Sequence, residues 1–164
     1  IVKDIKAEQE QYFNIDNYGN NYVTALDNSV NTVNNNVNTL QNKELTKLQD
    51  INIKINDKNY IATIYNNEAG IEFLKQLPLK LTLSELNGNE KYTYLSIDFT
   101  QDKEKTNKIT KGDIMLYGSN CLTIFYKDTM PNYTYTKIGK IENSEELESL
   151  SEYENVEVEF SIIE

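Results

Sequence analysis

A length of 164 residues accommodates one domain, or one domain with an appendage. Its mean hydropathy is −0.62 and no apolar run approaches the roughly 18 residues that cross a membrane, while the net charge of −10 excludes a protein that binds along nucleic-acid phosphates. Because the chain has no histidine and all 16 basic residues are lysine, Ser-His-Asp and Cys-His catalysis, histidine-bearing zinc sites and every role of a guanidinium group are excluded as well.

Residues 1–49 are predicted to form an N-terminal α-helical arm. Its apolar positions alternate at spacings of three and four, which is typical of a heptad seam: Val23, Leu26, Val30, Val33, Val37 and Leu40. Residues 14–42 also hold 11 of the 23 asparagines, and asparagine and valine are weak helix formers. We therefore expect a helix from about residue 20 to 48 that depends on a partner. The partner is residues 4–15 folded back, the body of the domain, or a second copy of the chain in a homodimer.

From residue 51 the apolar period changes to two, which predicts strands. The segments "INIKIND" and "YIATIY" form a first hairpin. Asn66 or Asn67 then begins a short helix that Pro78 ends, with Phe73, Leu74 and Leu77 buried. A second hairpin joins "LKLTLSEL" to "EKYTYL" through Asn87-Gly88-Asn89.

The second half of the domain continues the pattern after a charged surface loop at about 96–111. A hairpin over 113–117 and 121–127 is followed by a strand at 133–139. A second short helix begins at Asn143 or Ser144, and a last strand alternates Val156, Val158, Phe160 and Ile162. Eight short strands and two helices predict a closed barrel or a sandwich, and periodicity leaves both open.

Alternation also assigns faces within these strands. The predicted barrel interior holds Ile114, Leu116, Leu122, Ile124, Tyr126, Val158 and Phe160. Met115, Tyr117, Thr123 and Phe125 then face outward. Cys121 is the single cysteine and has no base beside it, so we interpret it as a core residue.

Three blocks of the sequence resemble the bacterial cyclophilin-like domain family: "LPLKLTLSELNGNEKYTYL", "GDIMLYGSNCLTIFYKD" and "YTYTKIGKI". They occur in the family's order, and the resemblance covers about residues 50–163. It implies a mainly β fold, a closed eight-stranded cyclophilin-like barrel with two short capping helices, over residues 50–164. The N-terminal α-helical arm lies outside the resemblance.

The resemblance also bears on prolyl isomerisation. In cyclophilins a groove arginine donates toward the prolyl amide, whereas this chain has no arginine. The family that the chain resembles often carries arginine in the last of the three blocks, where this chain has Lys137 and Lys140. The ammonium group of lysine is a compact, hydrated charge, so it is a poor substitute for the planar guanidinium group of arginine. We therefore expect a non-catalytic binding module, with a weak or residual peptidyl-prolyl isomerase as the alternative.

The predicted site is the outward aromatic face, where the cyclophilin groove would lie. Its ligand-binding residues are expected to be Tyr94, Met115, Tyr117, Phe125, Tyr135 and Lys137. A surface of this kind suits a peptide or a small ligand. In the alternative, the arm or the 96–111 loop covers the face as ordinary packing, and the protein is a structural or interaction module with a plugged groove.

No catalytic residue, metal site or cofactor is expected. The acidic residues at 145–154 are interpreted as a solvated helix face. The chain begins at Ile1-Val2-Lys3, which fits a secreted or lipid-anchored protein whose leader was removed, or alternatively a trimmed cytoplasmic protein.

Overall fold

The computed structural model describes residues 45–104 and 108–164. The predicted arm lies outside these residues as far as residue 44, so its heptad seam and a homodimer through residues 20–48 stay predictions. The described residues begin a compact unit at Leu45, and a strand begins at Lys47. The predicted end of the helix at residue 48 is therefore wrong, because Lys47 and Leu48 extend the first strand of the sheet.

Nine strands and two short helices make up the described part of the chain. The strands are β1 (Lys47–Ile55), β2 (Lys58–Tyr65), β3 (Leu79–Leu86), β4 (Glu90–Tyr94), β5 (Lys103–Glu104), β6 (Asp113–Tyr117), β7 (Cys121–Phe125), β8 (Tyr135–Ile141) and β9 (Asn155–Ile162). Helix α1 covers Glu68–Leu74 and a 3₁₀ helix covers Ser144–Glu152. Within the described ranges, neither helix has the length and apolar character that a membrane crossing requires.

The sheet closes on itself. Strands pair in the order β2-β1-β9-β3-β4-β7-β6-β8, and β8 pairs back to β2, so the predicted closed eight-stranded barrel is confirmed. The two-residue strand β5 adds a short pairing to β8. At the closure Gly139 lies opposite Ile64, and a Cβ on Gly139 would come within 2.4 Å of the Thr63 carbonyl oxygen. The close approach of β2 and β8 therefore depends on glycine at this position.

The barrel interior follows the predicted alternation. One buried cluster contains all of the residues assigned to the interior: Ile114, Leu116, Leu122, Ile124, Tyr126, Val158 and Phe160. Helix α1 closes one end of the barrel through Phe73, whose ring meets Phe160 edge-on at 5.2 Å. Asn67 begins α1 by accepting a hydrogen bond from the Gly70 amide, and it donates to the Lys137 carbonyl on β8.

Three predicted details are corrected. The second helix is a 3₁₀ helix, and Asn143 precedes it in a left-handed conformation without a side-chain capping bond. Strand β7 ends at Phe125 rather than at residue 127. Strand β8 begins at Tyr135 rather than at residue 133. In the segment that precedes β8, Thr129 exchanges two backbone hydrogen bonds with Ile109 of the 96–111 loop.

Candidate functional site

Two rows of side chains cross the outer face of β4, β7, β6 and β8. In the first row Tyr94 lies opposite Cys121, and Cys121 lies opposite Tyr117. Tyr135 completes this row, because Leu116 and Thr136, the neighbours of Tyr117 and Tyr135, are paired. The register thus places a short side chain between two tyrosine walls.

The second row lies two residues along each strand and shares the same face. It runs from Tyr92 to Thr123, then to Met115 and Lys137. Strand β7 again contributes the small member, Thr123. Because neighbouring strands are about 4.8 Å apart, the backbones of β4 and β6, from which the walls rise, lie about 10 Å apart on either side of β7.

These walls enclose a groove of about 520 Å³. Six aromatic residues line it: Tyr92, Tyr94, Tyr117, Phe125, Tyr133 and Tyr135. Met130 and Asn132, from the segment before β8, contribute to its rim. The rings contact one another, since Tyr117 lies 5.2 Å from Tyr133 between centroids and Tyr92 lies 6.0 Å from Tyr94. Each wall is therefore held in place by ring packing.

The floor of the groove is partly covered by the 96–111 loop. Ile109 packs with Met115, Phe125 and Tyr135 in a second buried cluster, separate from the barrel interior. At Met115 the 96–111 loop therefore covers the outer face, as in the alternative prediction. Beside it, among the described residues, Tyr94 and Tyr117 keep 67% and 46% of their surface exposed.

Glu90 is the one carboxylate among the described residues that line the groove. It lies between Leu86 on β3 and Phe125 on β7, both apolar. Only 7% of its surface is exposed, and no hydrogen bond or ion pair reaches its carboxylate from the described residues. Burial, with a further contribution from the charge of Glu85, raises the pKa of Glu90 to about 7. Among the described residues, Asn89 Oδ1 is the side-chain atom that is fully buried without a hydrogen-bond partner.

Glu85 provides the contrast, because its carboxylate is fully engaged on the interior side of the same hairpin. The Lys91 ammonium donates to it at 2.5 Å, and the Tyr126 hydroxyl donates at 2.8 and 2.9 Å. Burial would raise the pKa of Glu85, but the bonds from Lys91 and Tyr126 outweigh burial and leave that pKa lowered. Two carboxylates five residues apart therefore differ in whether a cation faces them.

Burial raises the pKa of two further groups of the groove, Tyr135 and Cys121. Burial, followed by the charge of Glu90 among the smaller causes, raises the pKa of Tyr135 to about 12, so its hydroxyl remains a donor. Burial also raises the pKa of the Cys121 thiol, which argues against a nucleophilic role. The described residues contain no group of three carboxylate or thiol side chains arranged to hold a metal ion.

Four of the six predicted ligand-binding residues line the groove: Tyr94, Tyr117, Phe125 and Tyr135. Met115 lies beneath Ile109 instead, and Lys137 lies opposite Met115, outside the lining. Glu90 was not predicted as a site residue, because it is the first residue of β4 and directly follows a turn. Its period-two spacing with Tyr92 and Tyr94 was the signal that could have placed it on this face.

Comparisons with known proteins agree with this architecture. The cyclophilin-like family matches residues 53–161. The solution structure of a hypothetical protein from Archaeoglobus fulgidus is similar, with a TM-score of 0.56 and 16% sequence identity, over 74% of this chain and 99% of that one. At this identity the similarity shows the fold alone. No curated protein gives a significant match.

Proposed function

Because the chain belongs to the cyclophilin-like family, we propose that its barrel is a non-catalytic module whose outer aromatic groove binds a peptide or a small ligand. The observation that carries this proposal is the gap above Cys121, where Tyr94 and Tyr117 stand apart and remain exposed. The residues of the gap come from strands of a closed barrel, so the groove does not depend on a loop closing over it.

The dimensions and chemistry of the groove support a ligand site. Its volume of about 520 Å³ lies within the range of roughly 300–1,000 Å³ that is typical of small-molecule pockets. Tyrosine rings offer apolar area together with a hydroxyl that can orient a ligand. The buried cluster of Ile109, Met115, Phe125 and Tyr135 gives the floor a fixed shape.

The isomerase alternative has less support. The chain has no arginine, and among the described lining residues none is a lysine. No cation is therefore available from these residues to polarise a prolyl amide, and a catalyst must stabilise the twisted form of that amide. The alternative in which the arm plugs the groove rests on residues 20–48 and stays a prediction.

The test is a titration of the full-length ¹⁵N-labelled protein, followed by amide chemical shifts. The probes are phenol, choline, 3,3-dimethyl-1-butanol and the amide of Ala-Ala-Lys-Ala-Ala. We expect at least one probe to shift the amides of Tyr94, Thr123 and Tyr117. The same titration of Tyr117→Ala should lose these shifts, whereas Tyr153→Ala, at an exposed position outside the groove lining, should keep them. If no probe shifts the groove amides at millimolar concentration, the proposal is wrong.

A further inference from the structure

We propose that the ligand of this groove carries an organic cation, an alkylammonium group that faces the Glu90 carboxylate, while the rest of the ligand lies between the tyrosine walls. This inference deepens the proposed function and rests on it. It concerns the chemical class of the ligand, and the group can belong to a free small molecule or to a lysine side chain of a peptide.

The first support is the aromatic content of the walls. Five of the six aromatic lining residues are tyrosines, and the face of an aromatic ring attracts a cation within about 6 Å of its centroid. Tyr92 lies two residues from Glu90 on the same face of β4, so its ring is the wall residue nearest to a cation beside Glu90. Tyr94 and Tyr117 lie one row farther along the groove, where they can contact the rest of the ligand.

The second support is charge. Glu90 is the one carboxylic acid among the described lining residues, and none of those residues is basic. An anionic ligand would add like charge beside a buried carboxylate, which is unfavourable. A neutral ligand would bury Glu90 further and leave it unpaired, which also costs free energy. A cation is the ligand class that supplies the missing partner, and the net charge of −10 favours its approach.

The third support is an arrangement that the chain itself contains. On the interior side of β4 the Lys91 ammonium bonds to the Glu85 carboxylate and lies 5.4 Å from the centroid of the Tyr126 ring. A carboxylate and a tyrosine ring thus hold an ammonium group in the barrel. The groove presents the same two components, Glu90 and its tyrosines, without an ammonium group from the described residues.

Register explains why the two carboxylates differ. The turn after β3 pairs Glu85 with Lys91 and pairs Leu86 with Glu90. Glu85 therefore lies opposite a lysine on the interior face, while Glu90 lies opposite a leucine on the outer face. The pairing of these two strands therefore explains why Lys91 faces Glu85 and not Glu90.

The test compares choline with 3,3-dimethyl-1-butanol, which has the same shape and no charge, by calorimetric titration of the full-length protein at pH 8. We expect choline to bind at least tenfold more tightly. Glu90→Gln should remove the difference, and Glu154→Gln, an exposed site outside the groove, should retain it. Tyr92→Leu should weaken choline binding, whereas Tyr92→Phe, which keeps the ring, should preserve most of it. Circular dichroism confirms that each variant is folded.

The outcomes separate this inference from the proposed function. If both probes bind equally, or if only phenol binds, the groove is a ligand site but the cation inference is wrong. If no probe binds, both proposals are wrong. To distinguish the sources of the cation, the amide of Ala-Ala-Lys-Ala-Ala is titrated against its norleucine analogue. Tighter binding of the lysine peptide than of choline indicates a peptide ligand, and the reverse indicates a free small molecule.

Discussion

Replacing Glu90 with glutamine should stabilise the protein at alkaline pH and change its stability little at acidic pH. The pKa of Glu90 is about 7 in the folded protein, against an ordinary value of 4.5. Between these two values the folded state keeps a proton that the unfolded state has lost. The free energy of unfolding must therefore fall as pH rises from about 4.5 to 7, and the loss persists above pH 7.

The expected magnitude follows from the size of the pKa shift. The two values differ by about 2.5 units (7 minus 4.5), and each unit corresponds to about 1.4 kcal/mol. Ionised Glu90 thus lowers the free energy of unfolding by about 3 kcal/mol at pH 8. Glutamine has the same shape and no charge, so the Glu90→Gln variant should lack this loss. This figure is an upper bound, because Glu90 lines an open groove in which solvent screens its charge.

Urea denaturation at pH 5 and pH 8 measures the effect. Tyrosine fluorescence is a suitable signal, since the chain has 12 tyrosines and no tryptophan. The stability difference between Glu90→Gln and the parent protein should grow by up to about 2.5 kcal/mol between the two pH values, because an unfolded carboxyl is already mostly ionised at pH 5. The neighbouring groups do not titrate in this range, because the pKa of Glu85 is lowered and those of Cys121, Tyr126 and Tyr135 are raised.

Glu154→Gln is the control for loss of one negative charge at an exposed position. If the difference between Glu90→Gln and the parent protein is equal at pH 5 and pH 8, Glu90 ionises normally and the described environment of its carboxylate is wrong. Choline at saturating concentration should restore stability to the parent protein at pH 8, since a bound cation favours the ionised form.

Further predictions concern the barrel, catalysis and the arm. Leu122→Ala should cost about 2–5 kcal/mol in urea denaturation through lost burial and a cavity, and a smaller loss would contradict its interior position. Lys91→Met should cost about 1.5–3 kcal/mol because it removes a charged hydrogen bond from the partly buried Glu85 carboxylate; a neutral result would mean that this ion pair is dispensable. A protease-coupled assay with a proline peptide should show no acceleration at micromolar protein, and a cyclophilin-like rate would refute the argument from missing arginine. Aspartate at both Val33 and Val37 should increase amide exchange over residues 20–48 and dissociate any dimer held there, leaving the barrel intact; unchanged exchange would show that the seam does not order the arm.

Local sequence pattern determined much of the barrel. Period-two alternation identified eight strands and assigned Ile114, Leu116 and Leu122 to the interior, because a strand with one buried face cannot shift by one residue without exposing its core. Asparagine and glycine at residues 87–88 marked a hairpin, and both adopt positive φ there. Alternation could not choose between a barrel and a sandwich, since that choice depends on whether β8 reaches β2.

The candidate groove was determined only in part by sequence. Alternation placed Tyr94, Tyr117 and Phe125 on one outer face, but it could not tell that Ile109 would cover Met115, since a loop's path depends on contacts distant in the chain. Nor could it distinguish the environments of Glu85 and Glu90.

Both glutamates border the same short turn, and Lys91 is adjacent to Glu90 in the chain. Strand pairing directs Lys91 inward to Glu85, whereas Glu90 lies outward between apolar neighbours. Adjacent residues in a strand point to opposite faces, so the Lys91 ammonium does not face Glu90 although the two residues are neighbours in the sequence. Its burial, and with it the raised pKa, came from tertiary packing against Phe125, because the free energy of a carboxylate depends on what surrounds it in space.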